Sequence, residues 1–389
     1  MDILKLVNTQ KVLDWRRHLH MHPELSFQEF QTTEYLVQQI SKYPDIEVLR
    51  PTKTGLVAVL EGAKPGKIIG LRADIDALPI TEEVDLPFAS KNPGVMHACG
   101  HDGHTAMLLG ALDVLHSLKD QLSGTVKFIF QHAEEHPPGG ASEIVASGVL
   151  DDVQAFYGCH IFMDAPAGTI KLAAGPVSAN ADVFSIDIQG KGTHAAIPEK
   201  GIDSLLVGTE LVQALHTVVA RNVSAFDSAV LTIGSFNAGH AHNIVPDTAK
   251  ILGTVRTTTP DVRASIVQRI NDITKGICGA YGASADINYT YGYDAVDNDA
   301  SLCEYVRHIV SSTLPSSTID QMNPMMGGED FSAYSKIAPA FFAGIGAGPK
   351  SGDHYEAHHP KFCVDEAALP LGAAIYAAFA LHATEIAKF

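Results

Sequence analysis

Two kinds of strand in this chain cannot share one sheet environment. Short and almost wholly apolar runs, Leu56–Leu60, Lys67–Leu71, Thr125–Gln131 and Ala155–Cys159, occur on either side of a helical segment from about Asp102 to Leu118. Strands that are apolar on both sides must be covered on both faces, which indicates an α/β layer with a largely parallel sheet. Further on, Asp182–Gln189 (DVFSIDIQ) alternates instead, with Phe184, Ile186 and Ile188 on one side. That pattern belongs to a sheet with one wet face.

The alternating strand opens a segment with its own order. Asp203 is placed to cap a helix running to about Arg221, strands follow near Ala229–Gly234 and Thr248–Thr257, Pro260 opens a second helix, and a last strand runs through Ile287, Tyr289 and Tyr291. The order β-α-β-β-α-β is the split βαβ, ferredoxin-like pattern. A chain of 389 residues is too long for one ordinary core. The expected organisation is therefore an α/β domain over 1–177 and 294–389, with a mixed, largely parallel sheet flanked by helices. An α+β domain is inserted over 178–293. A long amphipathic helix over about 8–40, broken near His22-Pro23, should precede the first strands. A helix near Asp299–Thr313, a strand Phe341–Gly344 and a closing helix from about Asp365 should complete the α/β domain.

Charge and composition narrow the partners. The formal net charge is −17, with no basic run to offset it, so nucleic acid and anionic membrane are disfavoured. A carboxylate substrate would need a local cationic patch. The opening MDILKLVNTQ lacks a basic stretch leading into an apolar core, so no signal peptide is expected. The apolar stretch from Gly372 is too short to cross a bilayer. Five scattered Cys form no disulfide framework, which makes a reducing cytoplasm the expected location.

The 19 His are informative because many fall in short clusters beside Glu, Asp or Cys. The first cluster is His97-Ala98-Cys99-Gly100-His101-Asp102-Gly103-His104. If this segment is extended, Cys99 and His101 face the same way and can share an ion. The second, Gln131-His132-Ala133-Glu134-Glu135-His136, follows a buried strand, where ligands collect in α/β sheets. Neighbouring side chains diverge, so Glu134 and Glu135 should take different roles, one on metal and one as general base. The third is Cys159-His160, at the end of the next strand, and the fourth comprises His354 and His358-His359-Pro360. Singly, each has a plainer reading: an ordinary polar His, a solvated pair of Glu, a small buried Cys. Three clusters at successive strand ends together favour metal. Imidazole, carboxylate and one thiolate suit Zn²⁺, and Mn²⁺, Co²⁺ or Ni²⁺ fit the same donors.

At these clusters the chain resembles the aminoacylase/carboxypeptidase group of two-metal amidohydrolases, in the branch of hippurate hydrolase, indole-acetyl-amino-acid hydrolase and N-acetyl-diaminopimelate deacetylase. The resemblance runs from RRHLHMHPELSFQE (Arg16–Glu29) through LRADIDALPI, MHACGHDGHTAML, FQHAEE, GKGTHAAIP, HNIVPDTA, GTVRT and MGGEDFSAY to HHPKF (His358–Phe362). It implies that Cys99, His101, Glu135, His160 and His358 bind two divalent ions, with Zn or Mn first and Co or Ni as substitutes, and that Glu134 is the general base. His358 rather than His359 stands two residues before the motif's Pro. The resemblance further implies that His194 reaches the reacting carbonyl, and that Asn243 and Arg256 hold the substrate carboxylate. The inserted domain would serve as lid and dimerisation domain of a homodimer or homotetramer, with some of these three residues acting in the partner subunit's site. The implied reaction is hydrolysis of small N-acyl amino acids.

Departures from the family pattern include His132 where Pro is usual, Thr193 where Gly is usual, and His136-Pro137-Pro138 in place of a shorter Gly-Pro run. Asp74 and Asp76 could support a ligand or simply cap structure, and Asp102 could orient a ligand or cap the following helix. Two other readings stand beside this one: a dipeptidase or aminopeptidase on the same scaffold, and a non-catalytic metal-binding homologue. Cys99 as a thiol nucleophile is a weaker third. No G-x-S-x-G elbow, phosphate-loop signature or dinucleotide Gly fingerprint is present.

Overall fold

The computed structural model describes residues 2–349 and 354–388. The chain divides into two compact units. One takes in the residues up to Val177, Val296–Asn323 and the chain from Asp330 onward; the other is Ser178–Ala295 with Pro324–Glu329. The short Pro324–Glu329 segment belongs with the second unit, where Gly327 O accepts from Ala179 N at 3.0 Å.

The first unit is built on an eight-stranded mixed sheet. Its first strands are β1 (Ile46–Leu49), β2 (Leu56–Glu61), β3 (Lys64–Asp74), β4 (Ser123–Gln131), β5 (Ala155–Pro166) and β6 (Thr169–Leu172). The spatial order is β1-β2-β4-β3-β5, then Ala340–Gly348, β6 and Thr318–Gln321. The central run β4-β3-β5 and Ala340–Gly348 is parallel, while β1 and β2 add antiparallel edges. β4 is buried from Val126 through Gln131, as its apolar run requires. The short strands β1, β6 and Thr318–Gln321 were not expected from sequence.

Helix α1 (Thr9–Met21) is capped by Asn8, whose side chain accepts from Lys11 N, and turns Val12, Trp15 and Leu19 inward. The break expected at His22-Pro23 is present, and α2 (Phe30–Ile40) follows. A residue before proline avoids helical geometry, which ends α1 there. Helix α3 (His101–Ser117) is buried on nearly every side, because it packs against the sheet, α1 and the closing helix Leu369–Leu381. Gly110 makes that approach work: a Cβ there would come within 2.8 Å of Val12 and 2.9 Å of Ala373.

In the second unit a four-stranded antiparallel sheet runs in the order Ala229–Ala238, Thr248–Thr257, Asn180–Gln189, Ser284–Thr290. Phe184, Ile186 and Ile188 bury against Val207, Leu211 and Leu215 of the Ser204–Asn222 helix and Ile266 and Ile270 of the Pro260–Tyr281 helix. Asp203 accepts from Leu205 N and Leu206 N, and Thr259 with Pro260 opens the second helix. The result is one wet sheet face and one covered face, as the alternation demands.

Asp102 lies inside the first turn of α3, and its role is to join α3 to α1. Arg16 Nε and His20 Nδ1 both reach its Oδ2 at 2.8 Å, and His20 Nε2 lies 3.0 Å from Glu82 Oε1. All of these side chains are buried. Burial alone would lower the His20 pKa, but the charge and hydrogen bond of Asp102 and the hydrogen bond of Glu82 outweigh it and raise it. A raised imidazole contributes its stability in full below about pH 6.5 and loses it as pH rises through the raised value. The wild-type melting temperature should therefore decline as pH rises above about 6.5. His20→Gln should cost about 1–3 kcal/mol near neutral pH and flatten that decline. A variant curve parallel to wild type above pH 7 would show that His20 is not the titrating group.

Candidate metal centre

The candidate site forms at the carboxyl ends of the parallel strands. β3 ends at Asp74, opposite Gln131 at the end of β4, and the His132–Glu135 segment leaves from there. His160 is level with these ends, because Gly158 pairs with Arg72 two residues earlier. It does not end its own strand, as the sequence reading expected, because β5 runs on to Pro166. The Cys99–His101 segment also differs from expectation. It is not extended: Gly100 takes a left-handed φ of 87°, and His101 is the first residue of α3. The turn at Gly100, rather than strand alternation, brings Cys99 and His101 to one side.

Donor atoms of Cys99, His101 and His160 lie within 4.8 Å of one another, and so do those of Cys99, Glu135 and His358, and those of His101, Glu134 and Glu135. Cys99 is thus common to two overlapping cups. Cys99 Sγ is 3.3 Å from His160 Nε2, His358 Nε2 is 3.2 Å from Glu135 Oε1, and His101 Nε2 is 3.9 Å from the same oxygen. Bond lengths to a tetrahedral ion set donor–donor edges of roughly 3.3–3.8 Å, so the spacing fits a coordination shell. His101 Nε2 is buried without a hydrogen-bond partner. The donor set and this orphaned nitrogen fit divalent cations. His358, not His359, points inward: His359 stacks on Tyr355 with ring centroids 4.4 Å apart. His354 is exposed.

Buried carboxylates orient these donors. Asp76 O and Oδ1 lie 2.9 and 3.2 Å from His101 Nδ1, which turns Nε2 toward the cups. Asp76 Oδ2 also accepts from Glu135 N at 3.0 Å. Asp74 Oδ1 meets His104 Nδ1 at 2.7 Å, while His104 Nε2 accepts from Ile161 N at 2.9 Å. Both His104 nitrogens are engaged, so Asp74, His101 and His104 form a brace rather than a cation site. Arg72 closes this brace at 2.7 Å from Asp74 and 2.8 Å from Asp330. Backbone strain gathers here too. Among the described residues, the non-glycine residues with positive φ are Phe27, Ala133 and His358, at 64°, 50° and 69°. Such geometry costs an L-residue about 1–2 kcal/mol and collects at functional sites. His132 Nε2 is 3.2 Å from Glu143, and His136 is exposed.

The remaining three candidates lie in the second unit. Ile244 pairs with His194 in a two-stranded ribbon, with Asn243 beside it, and Asn243 O accepts from Ala195 N at 3.1 Å. His194 and Asn243 are exposed. That ribbon is a two-stranded sheet of its own, whereas Arg256 lies in the four-stranded sheet, paired with Ala181 of the Asn180–Gln189 strand.

The model of peptidase family M20/M25/M40 matches residues 70–382. The chain belongs to that family. It is 46% identical over 299 residues to an N-acyl-L-amino acid amidohydrolase of Geobacillus stearothermophilus, covering 76% of this chain and 81% of the relative. It is 37% identical to thermostable carboxypeptidase 1 of Saccharolobus solfataricus, covering 98% and 99%. The crystal structure of a Bacillus subtilis protein described as a dinuclear metal-binding peptidase of family M20 superposes with a TM-score of 0.86 at 36% identity, covering 97% and 98%. The mixed α/β fold is that of the family, and the enzyme class is a hydrolase of amide bonds. No helix among the described residues is long and apolar enough to cross a membrane.

Protonation sets a condition on metal loading. Burial pushes the Cys99 thiol up. Hydrogen bonds to Cys99 and Glu135 lift His358 to about 10. Against burial, Asp74 and Asp76 raise His101, whereas burial and His104 lower His160 to about 3. Coordination by these groups must displace protons. Loading Zn²⁺ or Mn²⁺ at pH 7 should therefore release protons, and apparent affinity should fall as pH is lowered. Titration calorimetry in buffers of different ionisation enthalpy measures this. Loading without proton release would exclude these atoms as ligands.

Proposed function

We propose that this chain hydrolyses the amide bond of small N-acyl amino acids, N-acetyl, N-benzoyl or similar, releasing the amino acid and a carboxylate. The observation that carries this reading is the convergence of Cys99, His101, Glu135, His160 and His358 at coordination spacing with Glu134 beside them. These five would hold two divalent cations, Zn or Mn foremost. Bound there, the cations would supply Lewis-acid polarisation of the scissile carbonyl and of the attacking water. Glu134 takes the proton from that water and passes it to the leaving amine. His194 donates toward the developing oxyanion. Arg256 grips the substrate carboxylate through its planar guanidinium, with Asn243 assisting. Five free Cys suit the reducing cytoplasm that a thiolate ligand needs.

This reading includes a homodimer in which some of His194, Asn243 and Arg256 serve the partner subunit's active site. Peptides are the second candidate substrate class, favoured by the likeness to a carboxypeptidase. A panel of N-acyl amino acids and dipeptides, assayed by amine release, separates the two; turnover confined to dipeptides would overturn the N-acyl reading.

Glu134→Gln should retain metal and lose roughly two to four orders of magnitude in kcat. Near-full turnover in that variant would refute the base assignment. Mixing Glu134→Gln chains with His194→Ala chains tests the dimer. If His194 serves the partner's site, hybrid dimers regain one intact site and the mixture recovers about a quarter of wild-type activity. No recovery on subunit exchange would place His194 in its own chain's site.

A further inference from the structure

We infer that Glu29 is a positioning residue for the candidate general base: its carboxylate fixes the strained backbone turn from which Glu134 projects. This rests on the functional reading above. Glu29 lies in the RRHLHMHPELSFQE segment, and neither the metal set nor the proposed chemistry uses it. It begins α2 but does not act as a side-chain cap there. Its side chain is fully buried and turned the other way, toward the segment after β4. One oxygen, Oε1, accepts from Phe27 N at 3.0 Å and from Ala133 N at 2.8 Å. Phe27 and Ala133 are two of the non-glycine residues with positive φ. A single acceptor thus holds two backbone amides in conformations that their own sterics oppose.

The second end of the same turn is held in a parallel way. Asp76 Oδ2 accepts from Glu135 N at 3.0 Å and from Ser26 Oγ at 2.7 Å. The 26–29 turn and the 133–135 segment are therefore tied by two buried carboxylates, one on each side of Glu134. The Thr54 side chain also bonds to the Glu29 carboxyl. Burial and the nearby Asp76 charge push the Glu29 pKa up to about 7. A carboxyl so poorly solvated is costly to keep. Its two short bonds to strained amides are the return visible in the structure. Reach, rather than charge, is the property that this geometry uses.

Two substitutions separate reach from charge. Glu29→Gln keeps an oxygen at the same distance and removes the charge, whereas Glu29→Asp keeps the charge and withdraws it by one methylene. With N-acetyl and N-benzoyl amino acids, Glu29→Gln should stay within about threefold of wild-type kcat. Glu29→Asp should lose about tenfold or more, because a displacement near 1 Å at the reacting group has effects of that order. KM and the metal content per chain should be unchanged in both. Backbone hydrogen exchange over residues 131–136 of the metal-loaded protein should rise about tenfold in Glu29→Asp only. The reverse order of the two variants, or equal kcat in both, would overturn the positioning role. If wild type hydrolyses none of these substrates, the functional reading fails, and the exchange measurement still decides whether Glu29 holds the turn.

Discussion

One buried carboxylate ties the candidate centre together. Asp76 stands just past the end of β3 and touches both halves of the site. Its carbonyl and one carboxyl oxygen fix the ring of His101, and its other oxygen holds the backbone of Glu135. The Cys99–His101 cluster and the Glu134–Glu135 cluster come from distant parts of the chain, and this residue sets their mutual distance. Without such a tie, donors on a turn and on a strand-end loop would drift by more than the few tenths of an ångström that coordination tolerates. A second brace, Arg72–Asp74–His104, repeats the logic one turn further along α3 and spends both nitrogens of His104 on structure.

Burial explains why so much bracing is needed. Cys99, His101, Glu134, Asp74 and Asp76 are all nearly or fully buried. Anions and imidazoles packed this tightly lose hydration, and each must be compensated by a hydrogen bond, an opposite charge or a cation. The structure supplies the first two for Asp74 and Asp76. Cys99, Glu135 and His358 instead face one another at short range, where a divalent cation would add the opposite charge. A chain carrying −17 overall also draws cations toward such a cluster.

Much of this was legible in the sequence, for physical reasons. Period decided the two sheets: the mostly apolar run of β4 could only be central, and the alternation through Phe184, Ile186 and Ile188 could only have one covered face. Caps at Asp203 and Pro260 were local and read correctly. Features that depend on partners far away were not legible. The four-residue strands β1 and β6 carry too few residues for a period to show, and antiparallel pairing of β1 with β2 is a property of the assembled sheet. Cys99 and His101 were expected to face together because they are two apart in a strand; they do so through a left-handed turn at Gly100. Asp74 and Asp76, within LRADIDALPI, read equally well as caps. Glu29 gave no local sign of its reach to Ala133, 104 residues away.

The central claim is that two cations share one thiolate-containing cluster. Anomalous X-ray scattering from crystals grown with Mn²⁺ or Zn²⁺ tests it most directly. Two peaks per chain should appear, about 3.5–4 Å apart, ringed by Cys99, His101, Glu135, His160 and His358. A single peak, or peaks that leave Cys99 and Glu135 uncoordinated, would contradict it.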